Sequence, residues 1–437
     1  MERNLTESTV AKQAWSTARR VFRDYPGKLA VRLWDGQTLA IGEGTPDFTL
    51  VFHHSAPFRD LILFRDPLRL AEAYFKGSLD VEGDLYAVFG LKDHLQSFTL
   101  SVPEKAAFLA AALLLTDGPG TEANAGTPVR RPQPLRSRFF RRHSRNTNRK
   151  AIAFHYDVSN EFYRLWLDRQ MVYSCAYFQT QEEDLDQAQQ NKLEHICRKL
   201  RLKPGERLLD IGCGWGALVC WAATHYGVRA HGVTLSRNQY EYGLLKVREH
   251  GLEGMVTLEL KDYRDLEGEG VFDKIASVGM FEHVGLKNLP VYFGTAHRLL
   301  KPDGLFLNHG ITYDGEGWRR TVSTEFINRY VFPDGELDSV SNVQRAMEQS
   351  RFEILDVESL RPHYALTLRH WVDRLEAHRE EALRHISEAV YRVWRLYMAA
   401  CALQFEEGGA GVYQILASKK GKGLGPAPLT RRDLYAD

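Results

Sequence analysis

The sequence predicts an α/β protein in which a doubly wound parallel sheet with helical additions follows a small α+β N-terminal domain. Three observations lead there. Strand-like and helix-like segments alternate from residue 151 onward, the pattern of parallel strands joined by crossover helices. An apolar strand runs into a three-glycine turn in LLDIGCGWGAL, residues 208–218. A stretch without hydrophobic period, TDGPGTEANAGTPVRRPQP at 116–134, separates that region from shorter apolar segments upstream. At 437 residues the chain is also too long for one typical domain.

Taken in order, residues 29–52 alternate apolar and polar positions between Gly and Pro and read as short strands. Helical stretches follow at 68–76 and 86–96, then an apolar run at 106–115. That run spans about 15 Å as a helix, half the thickness of a bilayer's hydrocarbon, so it predicts a buried or interfacial helix. Residues 1–116 are therefore expected as an accessory domain and 117–150 as a linker. Within it, residues 130–150 hold eight arginines, one lysine and no acid, with Phe139 and Phe140 among them. Such a run serves as a solvated connector, as a dock for an anionic leaflet or as an RNA contact, and alone it does not choose.

In the region 151–418 the candidate strands are 207–211, 229–233, 256–259, 272–278 and 305–309. Trp371, Leu375, Leu383, Ile386, Val390, Trp394 and Tyr397 recur at helical spacing and predict one or two helices after Pro362. A late strand is expected at 413–417, and the polar tail 419–437 is expected to be disordered.

Composition narrows the function classes. The chain is 44% hydrophobic and 26% charged, an ordinary globular balance, and its net charge of +1 lacks the basic excess of a nucleic-acid binder. Five scattered cysteines without a Cys-x-x-Cys pair predict reduced thiols and a cytoplasmic setting, and no metal site. The N-terminus shows no apolar core of the signal-peptide type.

In the glycine motif, Asp210 ends the strand, and Gly212, Gly214 and Gly216 let the backbone approach a nucleotide-type ligand. The second strand ends in Thr234 and Leu235, followed by Ser236 and Gln239, so hydroxyl and amide groups stand where a dinucleotide fold carries an acid for the ribose.

DIGCGWG together with KDYRDL at 261–266 resembles class I methyltransferases that bind S-adenosylmethionine. HYDVSNEFY at 155–163, MVYSCAYF at 171–178, GVTLS with Gln239, and SVGMFEHVG at 277–285 further resemble cyclopropane fatty acid synthases and the related mycolic acid modifying enzymes. AYFKGSLDVEGDL at 73–85 is similar, more loosely, to the accessory domain of full-length cyclopropane synthases, which the mycolate enzymes lack. The resemblance implies that the glycine turn faces the methionine moiety, that Asp262 and Tyr263 flank the adenine, and that Tyr173 and Ser174 also bind the cofactor. It implies a bound bicarbonate as base, held by the Cys175 region, Glu282, His309, the Ile311 backbone and Tyr364. Cys401 lies where the family has a cysteine proposed as catalytic, but its place on an apolar helix face reads as burial.

The expected function is cyclopropanation of cis double bonds in phospholipid acyl chains by a cytoplasmic, peripherally membrane-associated homodimer. An alkene is a poor nucleophile, so the methyl donor must be held close in a dry, apolar pocket, and a base must then take a proton before the ring closes. Methyl- or methylene-branching through the same cation is the near alternative. Nucleic-acid methylation is disfavoured because the chain has no Pro-Pro or Pro-Cys pair, and a non-catalytic lipid carrier is the third reading.

Overall fold

The computed structural model describes residues 2–115, 158–315, 321–331, 336–421, 423 and 425–435. The basic run at 130–150 and residues 155–157 of the HYDVSNEFY motif lie outside them. The chain forms two compact units, one of N-terminal residues with Ser387–Ala400, the other of Leu135–Ile386 and the residues from Cys401 on.

The first unit begins with the helix Glu2–Val21 and contains a four-stranded sheet of order β2-β1-β3-β4. Strands β1 (Leu29–Arg32), β2 (Thr38–Ile41) and β3 (Phe48–Phe52) fall in the expected segment, and β4 (Leu79–Gly83) lies inside AYFKGSLDVEGDL. Asp66 caps the helix Pro67–Phe75 by accepting from Leu68 N, and Pro67 enters its first turn, where no backbone donor is needed. The apolar run at 106–115 belongs to the helix Val102–Leu114, which buries Phe108, Ala111 and Ala112 but exposes Leu109 and Leu113. Ser387–Ala400 joins this unit through Arg392, which pairs with Asp80 at 2.6 Å and donates to Tyr74 O at 3.0 Å.

The second unit is a seven-stranded sheet of order β10-β11-β9-β8-β5-β6-β7. Its strands are β5 (Arg207–Ile211), β6 (Arg229–Thr234), β7 (Val256–Leu260), β8 (Phe272–Val278), β9 (Leu300–Tyr313), β10 (Phe352–Ser359) and β11 (Ala410–Lys419). Strands β7, β6, β5, β8 and β9 run parallel, and β11 runs antiparallel to both β9 and β10, so β10 points the same way as the other five and the expected parallel sheet is mixed through one reversed strand. Successive strand residues face opposite sides: Leu208, Ala276 and Leu307 enter one core, and Leu209, Ile275 and Phe306 the other.

Strand β10 carries no strong sequence signal because FEILDVES breaks strict alternation, with Ile354 and Leu355 adjacent at a register shift, and only Phe352 is fully buried. Ion pairs hold it, with Lys199 Nζ, fully buried, 3.2 Å from Asp356 and 2.5 Å from Glu358. Beyond Leu360 the chain forms three helices, Arg361–Ala377, Arg379–His385 and Glu388–Glu406, rather than one or two. The polar tail also differs from expectation. Arg432–Tyr435 is a short helix, Leu434 is buried, and Arg201 pairs with Asp433 at 2.8 Å.

The central strand carries the architecture, so Ile275→Ala, at a side chain with no exposed surface on β8, is expected to cost about 2–5 kcal/mol. Chemical denaturation followed by tryptophan fluorescence reads the loss, and an unchanged midpoint would contradict this core assignment.

Candidate active site

The chain leaves β5 towards β6 and β7, then returns to place β8 on the other side of β5. Ligands of open α/β sheets bind at the carboxyl ends of the strands at such a reversal. A cleft lies there, lined by Tyr173, Ser174, Asp210, Gly212 and Gly214, and further round by Thr234, Leu235, Gln239, Asp262 and Tyr263. Ten residues expected from four separate segments thus line one cavity. Gly216 does not line it; with φ of +84° it caps the helix Ala217–Tyr226 one step behind the wall.

Each wall has a local cause. Gly212 has φ of +83°, and a Cβ there would come within 2.8 Å of Met280 Cγ, so the turn admits only glycine beside the loop after β8. Thr234 Oγ1 donates to Gln239 Oε1 at 2.9 Å, fixing the hydroxyl and amide at the end of β6. Asp262 is held by Arg264 through two side-chain bonds of 2.8 and 2.5 Å and accepts from Arg264 N at 3.0 Å. Arg264 also lines the cleft and was not singled out in the sequence. Trp215 Nε1 donates to Asn160 Oδ1 at 2.7 Å, tying the glycine turn to the NEFY segment.

Two further residues escaped sequence reasoning. Gln189 donates to the carbonyls of Val172 and Ser174 and so shapes the VYSC segment. Lys192 lines the cleft, is 2% exposed, and donates to Ser174 Oγ at 3.0 Å. Burial lowers its pKa to about 8, opposed first by the charge of Asp168 and then by Cys175 and Asp210, and burial raises that of Asp210 to about 7, opposed by Lys192. The signal was present: Lys192 shares the buried face of the helix Leu185–Lys199 with Leu185, Ala188 and Ile196, a position where a lysine needs a reason.

The five residues expected around the base do not line this cleft, nor does Cys401. These five form a second, connected group. Glu282 Oε1 accepts from Ile311 N at 2.7 Å, while Glu282 Oε2 is buried with no hydrogen-bond partner. The Ile311 N–H expected to meet an anion is therefore engaged by the carboxylate. Gly310 makes this approach possible, since a Cβ there would lie 2.1 Å from the Phe281 ring and 3.0 Å from Glu282 Oε1. Ile311 pairs across the sheet with Val412, whose carbonyl accepts from Leu360 N. The Leu360 carbonyl accepts in turn from Tyr364 N at 3.1 Å and from the Cys175 thiol at 3.7 Å.

Tyr364 lies in the first turn of Arg361–Ala377 because Pro362 opens that helix. His309 is 2% exposed on β9, two residues before Ile311, with Gln414 Nε2 3.3 Å from its Nδ1 and no partner at Nε2. Burial holds this imidazole well below its ordinary pKa, so it is neutral. Burial likewise raises the Glu282 carboxyl to about 7 and pushes the Cys175 thiol up, which leaves the latter a poor nucleophile. Cys401 is half-buried in the helix Glu388–Glu406.

Aromatic rings join the two groups. Tyr173 of the cleft lies 5.2 Å from Trp371, Trp371 lies 6.0 Å from Tyr364, and Tyr364 lies 4.7 Å from Phe405, measured between ring centroids. The aromatic series thus starts at the polar cleft and reaches Tyr364, whose backbone is bonded to Leu360 in the second group.

Comparison with known proteins accords with this division. The family model described as mycolic acid cyclopropane synthetase matches residues 143–415, and a domain of unknown function matches residues 20–98. A probable fatty acid methyltransferase of Pseudomonas putida is 41% identical over 93% of this chain and 96% of its own length. The cyclopropane-fatty-acyl-phospholipid synthase of Escherichia coli (strain K12) is 41% identical over 61% of this chain and 66% of its own. Among solved structures, the cyclopropane synthase MmaA2 from Mycobacterium tuberculosis superimposes with a TM-score of 0.59 at 34% identity, covering 62% of this chain and 98% of that one. The mycolic acid cyclopropane synthase CmaA1 complexed with SAH and CTAB matches over the same shares at 35% identity and the same TM-score. The chain belongs to the mycolic acid cyclopropane synthetase family, as a cyclopropane fatty acid synthase-like, S-adenosylmethionine-dependent methyltransferase of class I fold.

Proposed function

We propose that the protein cyclopropanates cis double bonds in unsaturated phospholipid acyl chains, with S-adenosylmethionine as methyl donor and bicarbonate as proton acceptor. The observation that carries this reading is Glu282: a buried carboxylate with one oxygen locked by Ile311 N–H and the other without a partner, in the group that an aromatic series links to the cofactor cleft through Tyr364.

The residues present fit both groups. Asp210 Oδ1 is a buried acceptor without a partner at the end of the cleft nearest the glycine turn, and the Thr234–Gln239 pair presents polar atoms farther along. Glu282 Oε2 and His309 Nε2 are partnerless polar atoms suited to a small anion that both donates and accepts. When bound, S-adenosylmethionine supplies an electrophilic methyl, and bicarbonate supplies a base for the proton lost on ring closure. The chain's own residues do the rest. Tyr173, Trp371, Tyr364 and Phe405 exclude water and face a developing cation with ring electrons. Glu282 and His309 hold the base in one orientation, and the raised pKa of Glu282 lets it donate as well as accept near neutrality.

The nearly full-length likeness to a relative named a fatty acid methyltransferase favours a second reading, methyl- or methylene-branching without ring closure. Peripheral contact with a leaflet and a homodimer belong to the proposal, supported by the acyl-chain substrate that the relatives' names imply. Among the described residues no helix is long and apolar enough to cross a membrane.

Methyl-labelled S-adenosylmethionine incubated with the protein and vesicles of unsaturated phospholipid is expected to label acyl chains that chromatography and mass spectrometry identify as cyclopropanes. Branched chains would establish the second reading, and unlabelled lipid with cofactor binding intact would overturn both. Glu282→Gln is expected to lower turnover by about 100-fold or more, with cofactor affinity retained because Glu282 does not line the cleft. A variant turning over at the wild-type rate would remove Glu282 from the mechanism.

Stability provides a separate check. The Glu282 pKa rises from 4.5 unfolded to about 7 folded, so the native state binds more protons in that interval. Ionising Glu282 therefore destabilises the fold as pH rises from 4.5 to 7. Relative to wild type, Glu282→Gln is expected to gain stability across that window and to hold the gain above it, read from melting temperatures at pH 5, 6, 7 and 8. A constant difference would show that Glu282 does not titrate there.

A further inference from the structure

The cleft carries charge that its own residues do not use up at one end. Lys192 and Asp210 both line it, at 2% and 3% exposure. Lys192 Nζ has three donors, and its hydrogen bond goes to a neutral hydroxyl, Ser174 Oγ. Asp168 lends Lys192 the strongest neighbouring charge, but both of its oxygens already accept from backbone, from Gln170 N at 2.7 Å and Val172 N at 2.8 Å. Asp210 keeps Oδ1 buried and without a partner.

Charges at the other end of the cleft are compensated locally. Asp262 is clamped by Arg264, and Lys261 pairs with Glu259 at 3.2 Å. A buried cation and a buried carboxylate with unused hydrogen-bonding capacity are costly unless a bound group completes them. The complement of such a pair is a neighbouring anion and cation on one ligand, the arrangement of an α-amino acid zwitterion.

We propose that Lys192 is the residue that selects the amino-acid end of the cofactor, binding its carboxylate while Asp210 binds its ammonium. This rests on the reading of the cleft as an S-adenosylmethionine site, and it makes Lys192 a specificity-determining residue. Ser174 then acts as a positioning residue that aims the ammonium of Lys192 into the cleft.

Isothermal titration of the full chain with S-adenosylmethionine and with decarboxylated S-adenosylmethionine tests it. Wild type is expected to bind the carboxylate-bearing compound about tenfold tighter or more, the range of a charge-assisted hydrogen bond. Lys192→Met is expected to lose most of that preference, chiefly through weaker binding of S-adenosylmethionine. Lys192→Gln, which retains a donor for Ser174 Oγ, carries the same expectation should the Met variant melt early. A folded variant that keeps the wild-type preference would overturn the proposal. So would a wild type that binds both compounds equally, with the cofactor reading left standing. Wild type binding neither compound would instead overturn the cofactor reading.

Discussion

Desolvation of a few charged and polar groups at the carboxyl edge of the sheet is the constraint on which the rest of the second unit depends. Asp210, Lys192, Glu282 and His309 are all nearly sealed from solvent, and burial shifts each towards its neutral form. Such groups persist only where surrounding structure holds them and bound groups complete them. The mixed sheet holds them rigidly. Asp210 ends β5, Glu282 follows β8, and His309 lies within the long strand β9, which is braced on one side by β8 and on the other by β11.

Close packing supports that arrangement at two glycines. Gly212 lets the turn after β5 approach Met280, and Gly310 lets Glu282 reach the backbone of β9. In both cases a methyl group would occupy space that the site needs. The aromatic series from Tyr173 through Trp371 to Tyr364 then runs from the cleft towards the second polar group with apolar ring surface, which suits the proposed chemistry on an alkene. Helix Arg361–Ala377 contributes two of these rings, so a segment outside the parallel core completes the site.

The edge of the sheet illustrates a different balance. Strand β10 buries little apolar surface, and its acidic residues are matched by Lys199 and His195 from the helix Leu185–Lys199 and by Arg431 from the tail. Fixing that helix also fixes Lys192, about two turns before Lys199, so the charged edge and the cofactor cleft share one rigid support.

Local pattern in the sequence determined much of the protein by itself. Strands β5 and β8 were legible to the residue because glycines bound each of them, Gly205 and Gly212 around RLLDI and Gly270 and Gly279 around FDKIASV, and the glycine turn announced a nucleotide-type cleft. The motif residues from Tyr173 to Tyr263 that the resemblance assigned to the cofactor could be named before any contact was known. Tertiary structure decided what depends on partners distant in the chain. Strand β10 exists through ion pairs, the tail helix packs through Leu434, and the polarity of the sheet turns on how β9, β11 and β10 pair. It also decided that the Ile311 N–H meets Glu282, that Asp262 is clamped by Arg264, and that Lys192 faces the cleft. The physical reason is that hydrophobic period reports which surface is buried, whereas the partner of a buried polar atom is set by the three-dimensional meeting of segments far apart in sequence.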